Sequence, residues 1–188
     1  SQRDIAFDQV VRKLSGVVAD GKSPVAIGGE RTLGLAAARA TSRHFEELGV
    51  VWLTRRPGFL EDDRGLSLTA LTMGRQFVRA FPTAIVGPRF WSADEVDFIA
   101  SRSASPFVSA RQVVDGKLDF DKIRASLPKA VHLSIDVGVL DPSVLPMFGN
   151  SEPGGLGWYE LSDVIDDVFR RFDVVSCDIN GFVPTVGT

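Results

Sequence analysis

Few of the side chains that carry common chemistry are present in this chain. Its 188 residues include one cysteine and two histidines, His44 and His132. The lone Cys177 excludes a disulfide within the chain and fits a reducing compartment. Two histidines cap any histidine-rich metal chemistry. No run of about 18 apolar residues occurs, and the polar start Ser1-Gln2-Arg3-Asp4 does not read as a signal sequence. The expectation is a soluble, cytoplasmic protein with no membrane partner. An excess of one charge is also lacking: 21 basic and 24 acidic residues leave −3, so bulk electrostatics favour no nucleic-acid partner. Neither G-x-G-x-x-G nor a Walker lysine accompanies Gly28-Gly29, which makes a nucleotide site there a poor reading.

What is present is an ordinary globular balance, 44% hydrophobic and 24% charged, consistent with one domain over residues 1–188. Phe7, Val10, Val11, Leu14, Val17 and Val18 recur at helical spacing. Short apolar runs at 24–27, 50–53, 83–86, 107–109, 131–136 and 172–179 read as strands. Between them, 32–48, 93–101, 120–127 and the face marked by Leu161, Val164, Ile165, Val168 and Phe169 read as helices. Near-continuous apolar strands alternating with helices predict an α/β fold with a mainly parallel sheet covered on both faces. The stretches 54–65 and 137–157 read as long loops, and the Gly/Pro-rich segment 143–157 is either functional or a structural lid.

In such sheets ligands bind beyond the carboxyl ends of the strands. Those positions hold Glu30-Arg31, Thr54-Arg55-Arg56, Arg89, Arg111, Asp136 and Asp178-Ile179-Asn180, a rim of five arginines and three carboxylates. A nucleophilic triad is poorly supported. His44 falls in a predicted helix, while His132 and Cys177 fall inside apolar strands, where a satisfied histidine and an inert thiol are the ordinary outcome.

In order along the chain, these segments resemble the ureohydrolase family of arginases, agmatinases and formiminoglutamases. His132-Leu133-Ser134-Ile135-Asp136-Val137-Gly138-Val139-Leu140-Asp141-Pro142 is similar to its S-x-D-x-D-x-x-D-P signature, and Glu152-Pro153-Gly154-Gly155-Leu156 to its P-E-P-G-G-L loop. Gly28-Gly29-Glu30-Arg31 resembles G-G-D-H, the segment 51–58 resembles the strand leading into D-A-H-x-D, Gly87-Pro88-Arg89 resembles a G-x-R turn, and Asp178-Ile179 with Pro184 resembles the late D-x-x-E-x-x-P. The resemblance implies a three-layer α-β-α fold of arginase type. It also implies a strand and loop ahead of the first helix, so the expectation is an N-terminally shortened version.

Family activity, as the resemblance implies it, uses two Mn²⁺ ions held by six side chains to activate a water that attacks a guanidinium carbon. Those six positions map to Arg31, Thr54, Arg56, Gly58, Asp136 and Gly138, and only Asp136 keeps a ligand. The late glutamate maps to Gly181. The leading expectation is therefore a catalytically degenerate ureohydrolase-like protein with no metal and no cofactor, acting by binding, regulation or assembly. The resemblance implies a homo- or hetero-oligomer. Its candidate relic site comprises Glu30, Arg31, Thr54, Arg56, Asp136, Gly138, Asp178 and Asn180, with Arg31 or Arg56 expected to pair with Asp136. A second reading is an enzyme or receptor for a small anion, clamped by Arg31, Arg55, Arg56 or Arg89 with Asp136 or Asp178 as base. A third is a true metallohydrolase whose ligands align elsewhere.

Overall fold

A computed structural model describes residues 2–66, 68–101, 105–146 and 152–182. Six parallel strands form one sheet: β1 (Val25–Ile27), β2 (Gly49–Leu53), β3 (Thr83–Val86), β4 (Phe107–Val108), β5 (Ala130–Asp136) and β6 (Asp173–Asn180). Their spatial order is β1-β6-β5-β2-β3-β4. Each crossover is long enough to hold a helix, as parallel pairing demands. Helices α1 (Gln2–Ala19), α2 (Thr32–Ser42), α3 (Met73–Ala80) and α4 (Ala93–Ser101) lie on one face. On the other lie α5 (Ala110–Val114), α6 (Phe120–Ser126) and α7 (Trp158–Arg171). The expected α/β/α layering with a parallel sheet is what forms.

Two apolar clusters hold these layers. Phe7, Leu35, Trp52, Phe59, Met73 and Phe77 fill the first, and Leu53, Val86, Ile123, Leu133, Leu156 and Val168 the second. Trp52 and Leu53 are fully buried on opposite faces of β2, which explains why this strand reads as an unbroken apolar run. Two helices escape the sequence reading. α3, only eight residues long, follows the long loop and buries Phe77 and Val78. α5, five residues long, is nucleated by a capping box in which Ser109 and Gln112 satisfy each other's backbone N–H groups. A further correction concerns His44, which lies in the turn after α2, since that helix ends at Ser42.

One face of β5 and β6 is not apolar. His132, Ser134 and Asp136 alternate on β5 with Ser176, Asp178 and Asn180 opposite them on β6, and all six are buried. A register shift between Val131 and His132 brings Ser176 level with the histidine. His132 Nδ1 and Ser176 Oγ are 2.8 Å apart, and His132 Nε2 and Asp178 Oδ1 are 2.9 Å apart. Asn180 Nδ2 donates to the other Asp178 oxygen. Such a ladder can be covered only by a helix that approaches closely, and α2 supplies Gly34, Ala36, Ala37, Ala38 and Ala40 for that purpose.

Gly34 is the tightest point, because an added Cβ would lie 2.6 Å from Ser134 Oγ and 2.7 Å from Asp178 Oδ1. Alanine in mid-helix normally gains about 1 kcal/mol over glycine. Here the clash reverses the sign: Gly34→Ala is expected to lower stability by about 1–3 kcal/mol. Urea unfolding checks this, and a midpoint at or above that of the unsubstituted protein would refute it.

Candidate functional site

The chain changes direction across the sheet between β2 and β5: β2 leads outward one way through β3 to β4, and β5 leads the other way to β6, which pairs with β1. Switch points of this kind open a crevice at the strand ends. Register places Leu53 beside Ile135, and Asp136 beside Asn180. Thr54 and Asp136 therefore meet just beyond the switch, and the turn between β1 and α2 delivers Arg31 from the side.

Asp136 is fully buried, and both of its oxygens are engaged. Oδ1 accepts the Gly138 backbone N–H at 2.9 Å. Oδ2 lies 3.1 Å from Arg31 Nη2 and 3.2 Å from the Thr54 hydroxyl, which also lies 2.9 Å from the Arg56 carbonyl. Arg31 is itself 9% exposed, so this ion pair is shielded from water. Of the two arginines expected as partners of Asp136, Arg31 takes the position. Arg56 turns away and stacks on Phe90, with its guanidinium carbon 4.7 Å from the ring centroid.

A second ion pair stands beside the first. Arg55, buried, donates from Nη1 to Glu152 Oε2 at 2.9 Å. Burial lowers the Arg55 pKa from its ordinary value, and the Arg31 charge lowers it further, against the opposing pull of Asp136 and Glu152. The aliphatic stem of Arg55 fills the space above Gly138, where an added Cβ would sit 3.0 Å from Arg55 Cδ and 3.0 Å from Asp136 Oδ1. Gly181, at φ +82°, passes so close to Asp136 Oδ1 that a Cβ would collide with it. Gly58, at φ +59°, has Ala70 O 2.6 Å from where its Cβ would be.

Arg89 is also committed. Its Nε donates to Glu152 O at 3.1 Å, and its Nη atoms donate to the carbonyls of Gly138, Val139 and Leu140 at 3.1, 3.2 and 3.3 Å. Burial lowers its pKa from the ordinary arginine value. Asp141 secures the same loop from beneath. It accepts the Ser143 hydroxyl at 2.7 Å and the N–H groups of Ser143, Gly154 and Gly155 at 3.0, 2.8 and 3.0 Å. The Ser143 bonds, and then those from Gly154 and Gly155, hold its carboxyl down at about 2.

The eight candidate residues thus separate. Arg31, Thr54, Asp136 and Gly138 form one cluster, while Asp178 and Asn180 belong to the buried ladder with His132. Glu30 is exposed, lining an apolar hollow with Phe7, Leu33 and Leu68. Burial and the neighbouring Asp178 push the Cys177 thiol up to about 12, which suits an inert side chain. Glu152 is the partner sequence reasoning missed; the one available signal was a carboxylate in a loop that had to fold over a buried arginine. Pro184 and residues 147–151 of the long loop lie outside the described residues.

A three-layer fold with a strand-end crevice at a β2/β5 switch defines a broad α/β class, and comparison narrows it. The family model described as "Arginase family" matches residues 1–188, and the chain belongs to that family. A protein named N(1)-aminopropylagmatine ureohydrolase from Synechocystis sp. is 30% identical over 188 residues, covering 98% of this chain and 61% of the relative. The chain thus spans less than two thirds of that relative's length. Proclavaminate amidino hydrolase from Streptomyces clavuligerus superposes with a TM-score of 0.83 at 25% identity, covering 96% of this chain and 63% of the other. Agmatine ureohydrolase of Thermoplasma volcanium does so with a TM-score of 0.81 at 24% identity, covering 96% and 61%. Among the described residues, no helix is long and apolar enough to cross a membrane.

Removing one member of a buried ion pair strands the other charge, at about 3–5 kcal/mol. Arg31→Leu should lose stability on that scale, and Arg31→Leu with Asp136→Asn should recover most of the loss, as read by urea unfolding. Equal losses in the single and double variants would mean the pair is not coupled. For Asp141 the folded-state pKa is depressed, so its stabilisation is present above about pH 4 and fades as pH falls toward 2. Asp141→Asn should be less stable at neutral pH, with the gap closing between about pH 4 and pH 2; a gap independent of pH would contradict the loop-anchoring role.

Proposed function

We propose that this chain is a catalytically degenerate ureohydrolase-like protein, working without a binuclear manganese site and acting through binding or assembly. The observation that carries the reading is the Arg31–Asp136 ion pair, 3.1 Å across and shielded from water. A divalent ion needs several anionic or neutral donors with free lone pairs. Of the six positions that the family resemblance assigns to metal ligands, one carries a carboxylate, and both of its oxygens are already bonded. Two carry guanidinium groups, which repel cations and cannot ligate. Three further positions, counting Gly181, are glycines packed so closely that a side chain would displace backbone or Asp136. The donor set does not fit two metal ions, and no reaction step is assigned to them.

Two cations and two anions, Arg31 with Asp136 and Arg55 with Glu152, balance the crevice locally. This arrangement supports neutral filling of the site and gives the anion-clamp reading no observation in its favour, since Arg31, Arg55 and Arg89 are bonded within the protein. The relatives are named for ureohydrolase and agmatinase activities. Assembly with a second subunit is the form of binding that this proposal favours.

Elemental analysis of protein equilibrated with Mn²⁺ and then desalted tests the proposal, together with urea release from agmatine and arginine. The expected result is sub-stoichiometric manganese, no urea above background, and a melting temperature unchanged by chelator. Two bound manganese ions per chain with urea release would overturn it.

A further inference from the structure

Of the five arginines on the strand-end rim, four are engaged within the chain. Arg31 meets Asp136, Arg55 meets Glu152, Arg111 meets Asp115, and the Arg89 fork is filled by carbonyls. Arg56 differs. Among the described residues its guanidinium meets no carboxylate and no carbonyl, and its one partner is the face of Phe90. Stacking leaves the edge of the guanidinium, with its N–H donors, open to a carboxylate. Phe90 is 46% exposed and the adjacent Trp91 37%, so the cation stands beside an apolar surface.

The two loops that carry this stack are fixed from below. Glu95, buried, accepts the Phe59 N–H at 2.8 Å on one oxygen and the Ser92 N–H and hydroxyl at 2.8 and 3.2 Å on the other. Arg89 N–H donates to Arg55 O at 3.0 Å and joins the loops directly. Arginine beside exposed aromatic rings, held in place before any partner arrives, is the composition on which binding energy concentrates in protein interfaces.

The complement lies in the same segment of chain. Asp63 and Leu66 exchange N–H to carbonyl bonds, both at 3.0 Å, across a two-residue turn in which Arg64 and Gly65 have φ of 54° and 81°. Residues opposed in this way carry their side chains on the same face. The turn therefore presents a carboxylate next to a leucine that is 39% exposed. The Asp63 carboxylate meets no cation among the described residues, whereas Asp62 accepts the Gly65 N–H at 2.7 Å and Glu61 lies 3.9 Å from Arg79.

We infer that two copies of this chain associate about a two-fold axis, the Asp63–Leu66 turn of each docking on the Arg56–Phe90–Trp91 surface of the other. The Asp63 carboxylate takes the open edge of the partner's Arg56, and Leu66 packs on the exposed rings of the partner's Phe90 and Trp91. Guanidinium and carboxylate belong to one loop, so the patch is self-complementary and closes as an isologous pair. A free anion would find one half-exposed guanidinium alone, which holds little in water. The net charge of −3 disfavours a polyanion. Every residue of the contact lies between β2 and α4, away from the β1 end of the sheet. Arg56 closely follows Thr54, which sets the contact at the mouth of the Asp136 crevice. The inference rests on the assembly reading proposed above and gives that assembly a surface.

Sedimentation velocity over a concentration series of the full chain tests this. The expected mass at the higher concentrations is about twice 20.4 kDa. Arg56→Asp and Asp63→Arg should each weaken the dimer about hundredfold, since a two-fold contact counts each like-charge pair twice. Mixing the two variants should restore association, because the mixed dimer again pairs opposite charges at both contacts. Leu66→Ser, at an exposed position, should weaken the dimer about tenfold and keeps the test available if a charge variant does not fold. Manganese content and urea release play no part in this readout, so its failure is distinct from failure of the degenerate-site reading. A chain monomeric throughout, a dimer indifferent to these substitutions, or a mixture of the charge variants that stays monomeric would each overturn the inference.

Discussion

The rest of the site is arranged around the need to neutralise one fully buried carboxylate. Asp136 stands at the end of β5, beneath α2 and beyond reach of water, and a lone carboxylate there would be strongly destabilising. Arg31 meets it because the β1–α2 turn ends beside the β2/β5 switch, and Thr54 and the Gly138 N–H complete its hydrogen bonds. Once Arg31 occupies that position, the neighbouring residues are constrained in turn. Arg55 lies across Gly138 and needs Glu152; Gly181 must stay bare because Asp136 fills its side-chain space.

This coupling explains a pattern that sequence alone leaves puzzling. The segments that resemble the family most closely, Asp141-Pro142 and Gly154-Gly155-Leu156, are tied to each other through Asp141 and through the Leu140–Leu156 bridge. Their task is to hold a loop, and that task is independent of what lies in the crevice. Of the positions that the proposed mapping sets apart from the family resemblance, Arg31, Thr54, Gly138 and Gly181 lie against Asp136, while Arg56 stacks on Phe90 and Gly58 packs against Ala70 O. Loop scaffold and crevice chemistry are separable, and on the proposed reading the scaffold and Asp136 follow the pattern while the rest of the crevice does not.

Strand positions and the parallel sheet were legible because the central strands β2 and β3 are buried on both faces and read as unbroken apolar runs, with shorter apolar runs marking the others. α3 and α5 were not, being too short to show a helical period; α5 owes its start to the Ser109–Gln112 box. The Arg31–Asp136 contact was legible as one of two options, since both arginines sit at strand ends and only three-dimensional placement sends Arg56 to Phe90. The His132–Asp178–Asn180 ladder was hidden because its members alternate with apolar residues in strands that otherwise look like core. Glu152 was hidden by distance, 97 residues from the arginine it neutralises.

The central claim is that a guanidinium stands where the family resemblance places metal ions. A crystal structure from crystals soaked in Mn²⁺, with data collected at the manganese absorption edge, tests it most directly. The expected map has Arg31 Nη2 within hydrogen-bond distance of Asp136 Oδ2 and no anomalous peak beside that carboxylate. An anomalous peak coordinated by Asp136, with Arg31 displaced, would contradict it.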